Sequence, residues 1–409
     1  MNKTNISHIS HISHNSQNNI GVNEANFNKK QFWAYQRLYE KGSKHKFTNK
    51  NRKINEKTLK LTNKSNTNKS NTINKTHKKR FHLINNKVAT DKELVKRLDS
   101  IYIPPNYKDL VVAKSANNKI QAIGTDKRGR RQYIYNHKYT KKRNDRKYDF
   151  IVGLGKKIIQ IEKDNDSMID SLTKKPYVNW SLPNDYIPII IYMLRKYHFR
   201  IGNEKYANDN ESYGITTLKK EHIKFEPSKT KNNKFTIEFI GKKGILNRFS
   251  DDSPKMNKLL KILIENTSSD GYLFKYDNKN NDKNILQFIT PEHIHSFFQD
   301  KYNEEITPKM FRTWYGNYHM IEHLKNLYNE NKLKPRMTKG EINKIILECS
   351  EHVSSKLNNT PTVSKQSYID NKILDLVIKN PYRFASKIPE NSVEQHKYLY
   401  QIILKLRNL

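Results

Sequence analysis

Tyr368 follows, in chain order, Arg200, Lys242, the run Lys309-Met-Phe-Arg312 and Asn359. Two arginines, a lysine and a late tyrosine suit the attack of a phenol on a phosphodiester. Such a reaction passes through a five-coordinate phosphorane with extra negative charge on its non-bridging oxygens. Guanidinium groups match that charge with planar, forked donors that stay protonated at every relevant pH. A lysine can protonate the departing 5′ oxygen. The tyrosine then holds the polymer as a covalent phosphoester, so the bond energy is kept and the step needs neither ATP nor metal. Arg, Lys and Tyr abound in this chain, and it is their local contexts that discriminate.

The overall charge is consistent with a polyanionic partner. Lys and Arg number 77 against 40 Asp and Glu, a net charge of +37 over 409 residues. Nucleic acid is the usual counterpart of such an excess. The other source of the excess is an AT-rich genome, which inflates Lys and Asn throughout. The lone Cys349 excludes a disulfide framework and any Cys-based zinc site, and suits a reducing compartment. The polar first thirty residues carry no secretory signal pattern. The longest apolar stretch, Tyr186 to Leu194, is broken by Pro188 and falls short of the roughly 20 residues of a membrane span. The expectation is a soluble intracellular protein with no membrane partner.

Residues 1–78 are dominated by Asn, Ser, Lys and Thr and read as a disordered basic arm making non-specific phosphate contacts. Within it, His8, His11 and His14 recur every third residue, with nothing to fix a coordination geometry, and no metal site is assigned. Asn28 to Glu40, carrying Phe32, Trp33, Tyr35 and Leu38, has the composition of a short helix.

Order is expected to begin near Arg80. Phe81 to Ile84 and Lys119 to Ile123 read as strands, and Asp91 caps a helix running through Leu98. Ile103-Pro-Pro105 is extended. Asp126 to Tyr135 is a cationic glycine turn entering a strand, with Arg131, Tyr133 and Tyr135 on one side and Gln132 and Ile134 on the other. Such interleaving suits a phosphate-tracking surface with stacking platforms, or an ordinary amphipathic strand. The polar stretch Thr140 to Tyr148 separates a domain of residues 79–146 from one of 147–409.

In the larger part, a helix spans Phe150 to Ile161. A second starts near Asn184-Asp185 with Pro188 in its first turn and ends at Phe199-Arg200, where the arginine could simply oppose the helix dipole. Phe235 to Ile240 and Ile245 to Phe249 form a hairpin whose tip, Gly241-Lys-Lys-Gly244, is either solvated or a mobile arm that delivers an ammonium. Thr307-Pro308 starts a helix that places Lys309 and Arg312 one turn apart. Thr338-Lys-Gly-Glu341 is a capping box for a helix through Leu357, after which Asn359 stands where a C-cap would.

Several segments together resemble the type IB DNA topoisomerases, in the compact form of poxviruses, bacteria and giant viruses. They are Ile103-Pro-Pro105, Thr125 to Tyr135, Phe199-Arg-Ile-Gly-Asn203, Phe239-Ile-Gly-Lys-Lys243, Lys309-Met-Phe-Arg-Thr313 and Asn359 to Tyr368. The likeness runs in order from about residue 80 to near residue 400. It implies catalytic arginines at Arg200 and Arg312, a general-acid lysine at Lys242, a nucleophile at Tyr368 and a further active-site lysine at Lys309. DNA contacts are implied at Arg130, Arg131, Gln132, Tyr133 and Tyr135, and past the first arginine at Lys205 and Tyr206. Where the poxviral members carry histidine this chain has Asn359, as the bacterial and giant-virus members do. An amide can still donate to a non-bridging oxygen, but a poxvirus-like preference for one cleavage pentamer does not carry over.

The resemblance implies an α+β chain: a small β-rich N-terminal domain, then a mostly helical catalytic domain with a small antiparallel sheet. This is the catalytic fold shared with tyrosine recombinases. The implied activity is relaxation of supercoiled duplex DNA through a 3′-phosphotyrosyl intermediate by a monomer, without cofactor, nucleotide or metal. The expected location is at DNA: a virion or cytoplasmic viral factory in a viral setting, otherwise the nucleus or nucleoid. The Asn and Lys bias within this subfamily suggests a large DNA virus. Two alternatives are a tyrosine recombinase or integrase and a non-catalytic DNA-binding protein. Recombinases usually place histidine where this chain has Lys309, and a mere binder does not need Arg200, Lys242, Arg312 and Tyr368 in matching contexts. No Walker-type loop is present, and Gly153-Leu-Gly155 is too little to form one.

Overall fold

The computed structural model describes residues 31–39 and 80–408, except 176, 177, 179, 227–233, 268 and 278–285. The chain divides into two compact units, Met1–Arg143 and Asn144–Leu409. In the first, β1 (Phe32–Tyr39), β2 (Arg80–Ile84), β3 (Lys87–Val88), β4 (Lys108–Ala113), β5 (Ile120–Thr125) and β6 (Arg131–Tyr135) make one antiparallel sheet in the order β3-β2-β1-β4-β5-β6. Helix α1 (Lys92–Ser100) starts at Asp91, whose carboxylate accepts from the Leu94 amide at 2.7 Å.

β1 corrects two expectations. Residues 32–39 are neither arm nor helix but an inner strand, paired through Phe32–Ala34 with β4 and through Tyr35–Tyr39 with β2. The rest of the expected arm, with His8, His11 and His14, lies outside the described residues. Tyr35 and Arg37 sit two residues apart and are both buried, which is strand spacing. Arg37 tolerates burial because its guanidinium donates to Tyr35 Oη at 3.1 Å and to the Ile101 carbonyl at 2.9 Å. Tyr35 Oη meets His82 Nδ1 at 2.7 Å, and His82 Nε2 meets Asp99 at 3.1 Å. Burial of a ring of this size contributes roughly 1.5–3 kcal/mol. Deleting residues 1–79 will therefore unfold the first unit, not merely weaken DNA binding. Hydrogen exchange will show protection lost in β4 and β5, whereas a protected β4 in the truncated chain would mean that β1 is dispensable.

In the second unit, α2 (His137–Lys174) begins before the division point and runs through the charged stretch 140–148 that was expected to mark the boundary. Lys and Arg are good helix formers, and Tyr148, Ile151, Leu154, Ile158 and Ile161 line the helix's buried stripe. Gly153 and Gly155 lie in mid-helix. A Cβ at Gly155 would come within 2.4 Å of Trp314, so this glycine makes room for packing. Helix α3 (Pro183–Lys196) starts earlier than expected, at Leu182, so Pro188 falls inside it, and its carbonyl accepts from Asn165 Nδ2 at 2.8 Å. It also ends earlier, at Lys196, because His198 takes a left-handed φ of 52°. Arg200 is thus on an irregular segment past the helix, not at its end.

Then follow α4 (Glu204–Asn210), β7 (Ile223–Phe225), β8 (Phe235–Gly241), β9 (Ile245–Asp251), α5 (Pro254–Glu265), β10 (Lys275–Asp277), β11 (Leu286–Phe288) and α6 (Pro291–Tyr302). The carboxyl-terminal helices are α7 (Pro308–Asn329), α8 (Lys339–Leu357), α9 (Pro361–Ser367), α10 (Asn371–Lys379), α11 (Pro381–Ala385) and α12 (Ser392–Arg407). Strands β7-β8-β9 form one small antiparallel sheet and β10-β11 another. The α+β class, with a β-rich first unit and a mainly helical second one, is as expected. α3 and α7 run through the main core, with Ile187, Ile190, Leu194, Phe311, Trp314 and Ile321 fully buried. Thr338 and Glu341 make the expected reciprocal cap on α8, at 2.7 and 3.2 Å. No helix among the described residues is long and apolar enough to cross a membrane.

Candidate active site

Arg200, Arg312, Asn359 and Tyr368 converge within the second unit. The segment carrying Arg200 is pinned by its own carbonyl, which accepts from the Ile215 amide at 2.9 Å. At Gly214 a Cβ would come within 2.6 Å of that carbonyl oxygen. Asn358, left-handed with φ 47°, closes α8, and Thr360 with Pro361 opens α9. Asn359 is held in the corner between them, its amide donating to the Ser354 carbonyl at 3.0 Å. Its side chain is therefore more than a cap: Arg200 Nη2 donates to Asn359 Oδ1 at 2.8 Å and reaches Tyr368 Oη at 3.5 Å.

Arg312 projects from α7 and is only 3 % exposed. Its Nη1 donates to the His198 carbonyl and its Nη2 to the Leu357 carbonyl at 2.6 Å. The guanidinium carbon lies 5.2 Å from the Tyr368 ring centre. Burial pushes this guanidinium down to about 10, against the pull of Tyr368. Its Nε is buried and without a hydrogen-bond partner among the described residues, and so is Asn359 Nδ2.

Tyr368 ends α9. Burial alone would raise its phenol, but Arg312 and Arg200 outweigh it and bring the group down to about 7. Its backbone is fixed on both sides: its amide donates to the Ser364 carbonyl at 2.9 Å, and its carbonyl accepts from Asn317 Nδ2 at 2.9 Å. Gly316 makes room for it, since a Cβ there would stand 2.8 Å from Tyr368 Cβ and 3.0 Å from its carbonyl oxygen. In an exposed helix Gly→Ala would gain roughly 0.5–1 kcal/mol. Here Gly316→Ala will displace the tyrosine and slow cleavage at least tenfold with little change in duplex affinity. Single-turnover cleavage at the wild-type rate would show that the contact yields freely.

Lys242 and Lys243 form the tip between β8 and β9, with Lys243 at φ 69° and Gly244 at φ 73°. Partial burial lowers the Lys242 ammonium, Arg200 adds to the effect and Tyr368 opposes it. Tyr213 donates its amide to the Ile240 carbonyl at 2.8 Å, tying the hairpin to the stretch that follows Arg200. Lys309 is exposed in the first turn of α7. Lys205 and Tyr206 are exposed on α4, which Asn203 caps at 3.2 Å.

The remaining expected DNA contacts lie in the first unit. Asp126 organises the turn before β6: its carboxylate accepts from the Arg128 and Arg130 amides at 2.9 and 3.0 Å, and from Gln132 Nε2 at 2.9 Å. Arg130 also pairs with it, at 2.8 Å. Desolvation opposes the charge, yet the bonds from Arg130, Arg128 and Gln132 hold this carboxyl down at about 2. Arg131 is exposed and Tyr133 half-buried. Tyr135 packs on Tyr139 at 5.5 Å and under Arg143 at 5.4 Å.

Sequence reasoning missed a clasp on the tyrosine segment. Lys147 Nζ donates to the Ser367 carbonyl and lies 5.7 Å from the Tyr368 ring centre. Tyr148 Oη donates to the Ile369 carbonyl at 2.6 Å. Asp149 pairs with Arg407 at 3.1 Å, and Arg407 in turn pairs with buried Asp370. Burial brings the Lys147 ammonium down to about 8, against the attraction of Tyr368. The only signal in the sequence was the run Lys147-Tyr-Asp149 itself, whose partners lie over two hundred residues away.

The sequence is similar to known proteins along most of its length. A family model for the eukaryotic DNA topoisomerase I catalytic core matches residues 136–387, and one for the bacterial DNA topoisomerase IB N-terminal domain matches residues 80–126. DNA topoisomerase 1B of Acanthamoeba polyphaga mimivirus is 31 % identical over 338 residues, covering 80 % of this chain and 91 % of that protein. DNA topoisomerase 1 of Rabbit fibroma virus (strain Kasza) is 27 % identical over 285 residues, covering 68 % and 80 %. DNA topoisomerase 1B of Vaccinia virus (strain Copenhagen) is 25 % identical over 297 residues, covering 71 % and 84 %.

Proposed function

Since this chain belongs to the type IB DNA topoisomerases, we propose that it relaxes duplex DNA through a tyrosine-linked nick made at Tyr368. The observation that carries the mechanism is the ring of donors around an acidified phenol. Arg200 touches Tyr368 Oη, while Arg312 Nε and Asn359 Nδ2 are buried donors without partners among the described residues. Buried donors of this kind are costly unless an anion meets them.

In the proposed reaction Tyr368, already ionised to the phenolate that Arg312 and Arg200 favour, attacks the scissile phosphorus, and the bond from phosphorus to the 5′ oxygen breaks. Arg200, Arg312 and Asn359 hold the non-bridging oxygens as charge develops there. Lys242, with its lowered ammonium, gives its proton to the departing 5′ oxygen. Lys309 adds positive charge nearby. The 3′ phosphate stays on the tyrosine, torsional strain turns the free end, and the 5′ hydroxyl re-attacks as its proton returns to Lys242. No nucleotide or metal enters these steps, and one copy of the chain suffices because one strand is cut at a time. Arg130, Arg131, Gln132, Tyr133 and Tyr135 follow the duplex from the first unit, and Lys205 and Tyr206 from the second. The protein acts wherever its DNA lies, in a virion or viral factory if its source is viral like the mimivirus and poxvirus relatives.

Plasmid relaxation with EDTA present and ATP absent tests the reading. Relaxation under those conditions is expected, and an absolute need for ATP or a divalent ion would overturn it. The role of Lys242 has its own check. Lys242→Ala will cleave slowly on ordinary DNA but regain most of its rate when the 5′ leaving oxygen is sulfur, which departs without a proton. Rescue of Lys243→Ala instead would place the acid one residue later.

A further inference from the structure

The His198 carbonyl that anchors Arg312 belongs to a residue whose ring opens a polar cluster between α7 and α8, unused by the proposed chemistry. His198 Nδ1 lies 3.3 Å from the Leu194 carbonyl, so it carries the proton and leaves Nε2 as an acceptor. His198 Nε2 meets His319 Nε2 at 2.8 Å, which makes His319 Nε2 the donor. His319 Nδ1 lies 2.9 Å from Glu322 Oε2, and because the carboxylate only accepts, the contact needs either a proton on Nδ1 or a cation between the two atoms. Next to them on α8, His352 Nε2 is buried and has no hydrogen-bond partner among the described residues. Its ring stacks on His323 with centres 4.4 Å apart.

We propose that His319, Glu322 and His352 form a binding site for one divalent transition-metal ion of the zinc type. Their ligand atoms all lie within 4.8 Å of one another. An ion bonded at about 2.0–2.2 Å holds ligands up to roughly 4 Å apart, so small side-chain rotations close the set. Two imidazoles and a carboxylate suit zinc or cobalt and do not suit magnesium or calcium. The spacing of His319 and Glu322 puts both on one face of α7, a rigid support. His352 brings a buried Nε2 that no protein group among the described residues engages. The second nitrogen of His319 already donates to His198, the orienting bond that metal-bound histidines usually make. The ion touches no substrate in this arrangement. It stiffens the shelf on which Arg312 rests, and DNA relaxation in EDTA remains expected.

The test uses the untagged full chain with His8→Gln, His11→Gln and His14→Gln, which removes the other histidine cluster. Cobalt is titrated by visible spectroscopy, and zinc by competition with a chromophoric chelator at neutral pH. One ion per chain is expected, with strong ligand-field bands of low-coordinate cobalt and a thermal midpoint that zinc raises. Glu322→Gln and His352→Gln will each weaken binding at least tenfold, whereas His295→Gln will not. The two substitutions lie on different helices, so a folding defect in one leaves the other to locate the ion. No uptake would overturn the site and mean that a proton alone bridges His319 and Glu322. Uptake unchanged by both substitutions would overturn it equally.

Discussion

Tyr368→Phe will abolish plasmid relaxation and covalent protein–DNA adducts while leaving duplex affinity within about twofold. The substitution removes a single oxygen. The ring keeps its place beside Arg312, and its backbone bonds to Ser364 and Asn317 do not involve the hydroxyl. Losing a covalent nucleophile from an otherwise intact site costs on the order of 10⁴–10⁶ in rate. The variant should also lack a phenol titration near pH 7 that the parent shows, because Arg312 and Arg200 hold Tyr368 at about 7. The folded-state value lies below the ordinary one. The stabilisation is therefore complete above the ordinary tyrosine range and is lost as pH falls through about 7. Adducts recovered from Tyr368→Phe would mean that another residue attacks.

Arg312→Lys will slow single-turnover cleavage by a factor of about a hundred or more, nearly as much as Arg312→Ala, and the Arg200 variants will behave alike. Arg312 uses two nitrogens of its fork on the carbonyls of His198 and Leu357, and its Nε is still left over. An ammonium on a flexible stem cannot hold both anchors and meet an oxygen as well. Arg200 likewise spans Asn359 and Tyr368 from one nitrogen. In the alanine variants the Tyr368 phenol will ionise at higher pH, because a cation that lowered it is gone. Equal rates for Arg312→Lys and the parent on a defined duplex would remove the forked contact from the account.

What could be read from the sequence follows from whether its signals are local. The cap at Thr338, the proline start after Thr307 and the glycine-flanked hairpin tip depend on neighbours three or four residues away, and the structure has them where expected. β1 was hidden because Arg37 breaks the apolar alternation, and only its bonds to Ile101 and Tyr35 make that charge tolerable inside. The charged start of α2 was not legible as helix because the residues that make it amphipathic lie further along. The carboxyl-terminal limit of α3 depended on the left-handed turn at His198, a conformation no local pattern announced. The residues that converge on Tyr368 were named through family resemblance. The bond from Arg200 to Asn359, the clasp by Lys147, Tyr148 and Asp149, and the tautomer chain through His198 and His319 join positions far apart in sequence, which only the fold brings together.

In the proposed reaction Tyr368 forms the covalent link, to a 3′ phosphate. The most direct measurement traps the protein on a nicked or short duplex that cannot religate, digests the complex and maps the nucleotide-bearing peptide by mass spectrometry. One modified residue is expected, Tyr368, joined to a 3′-phosphoryl end, with a free 5′ hydroxyl on the released strand. A link to a 5′ phosphate, or a nucleotide on any other residue, would contradict it.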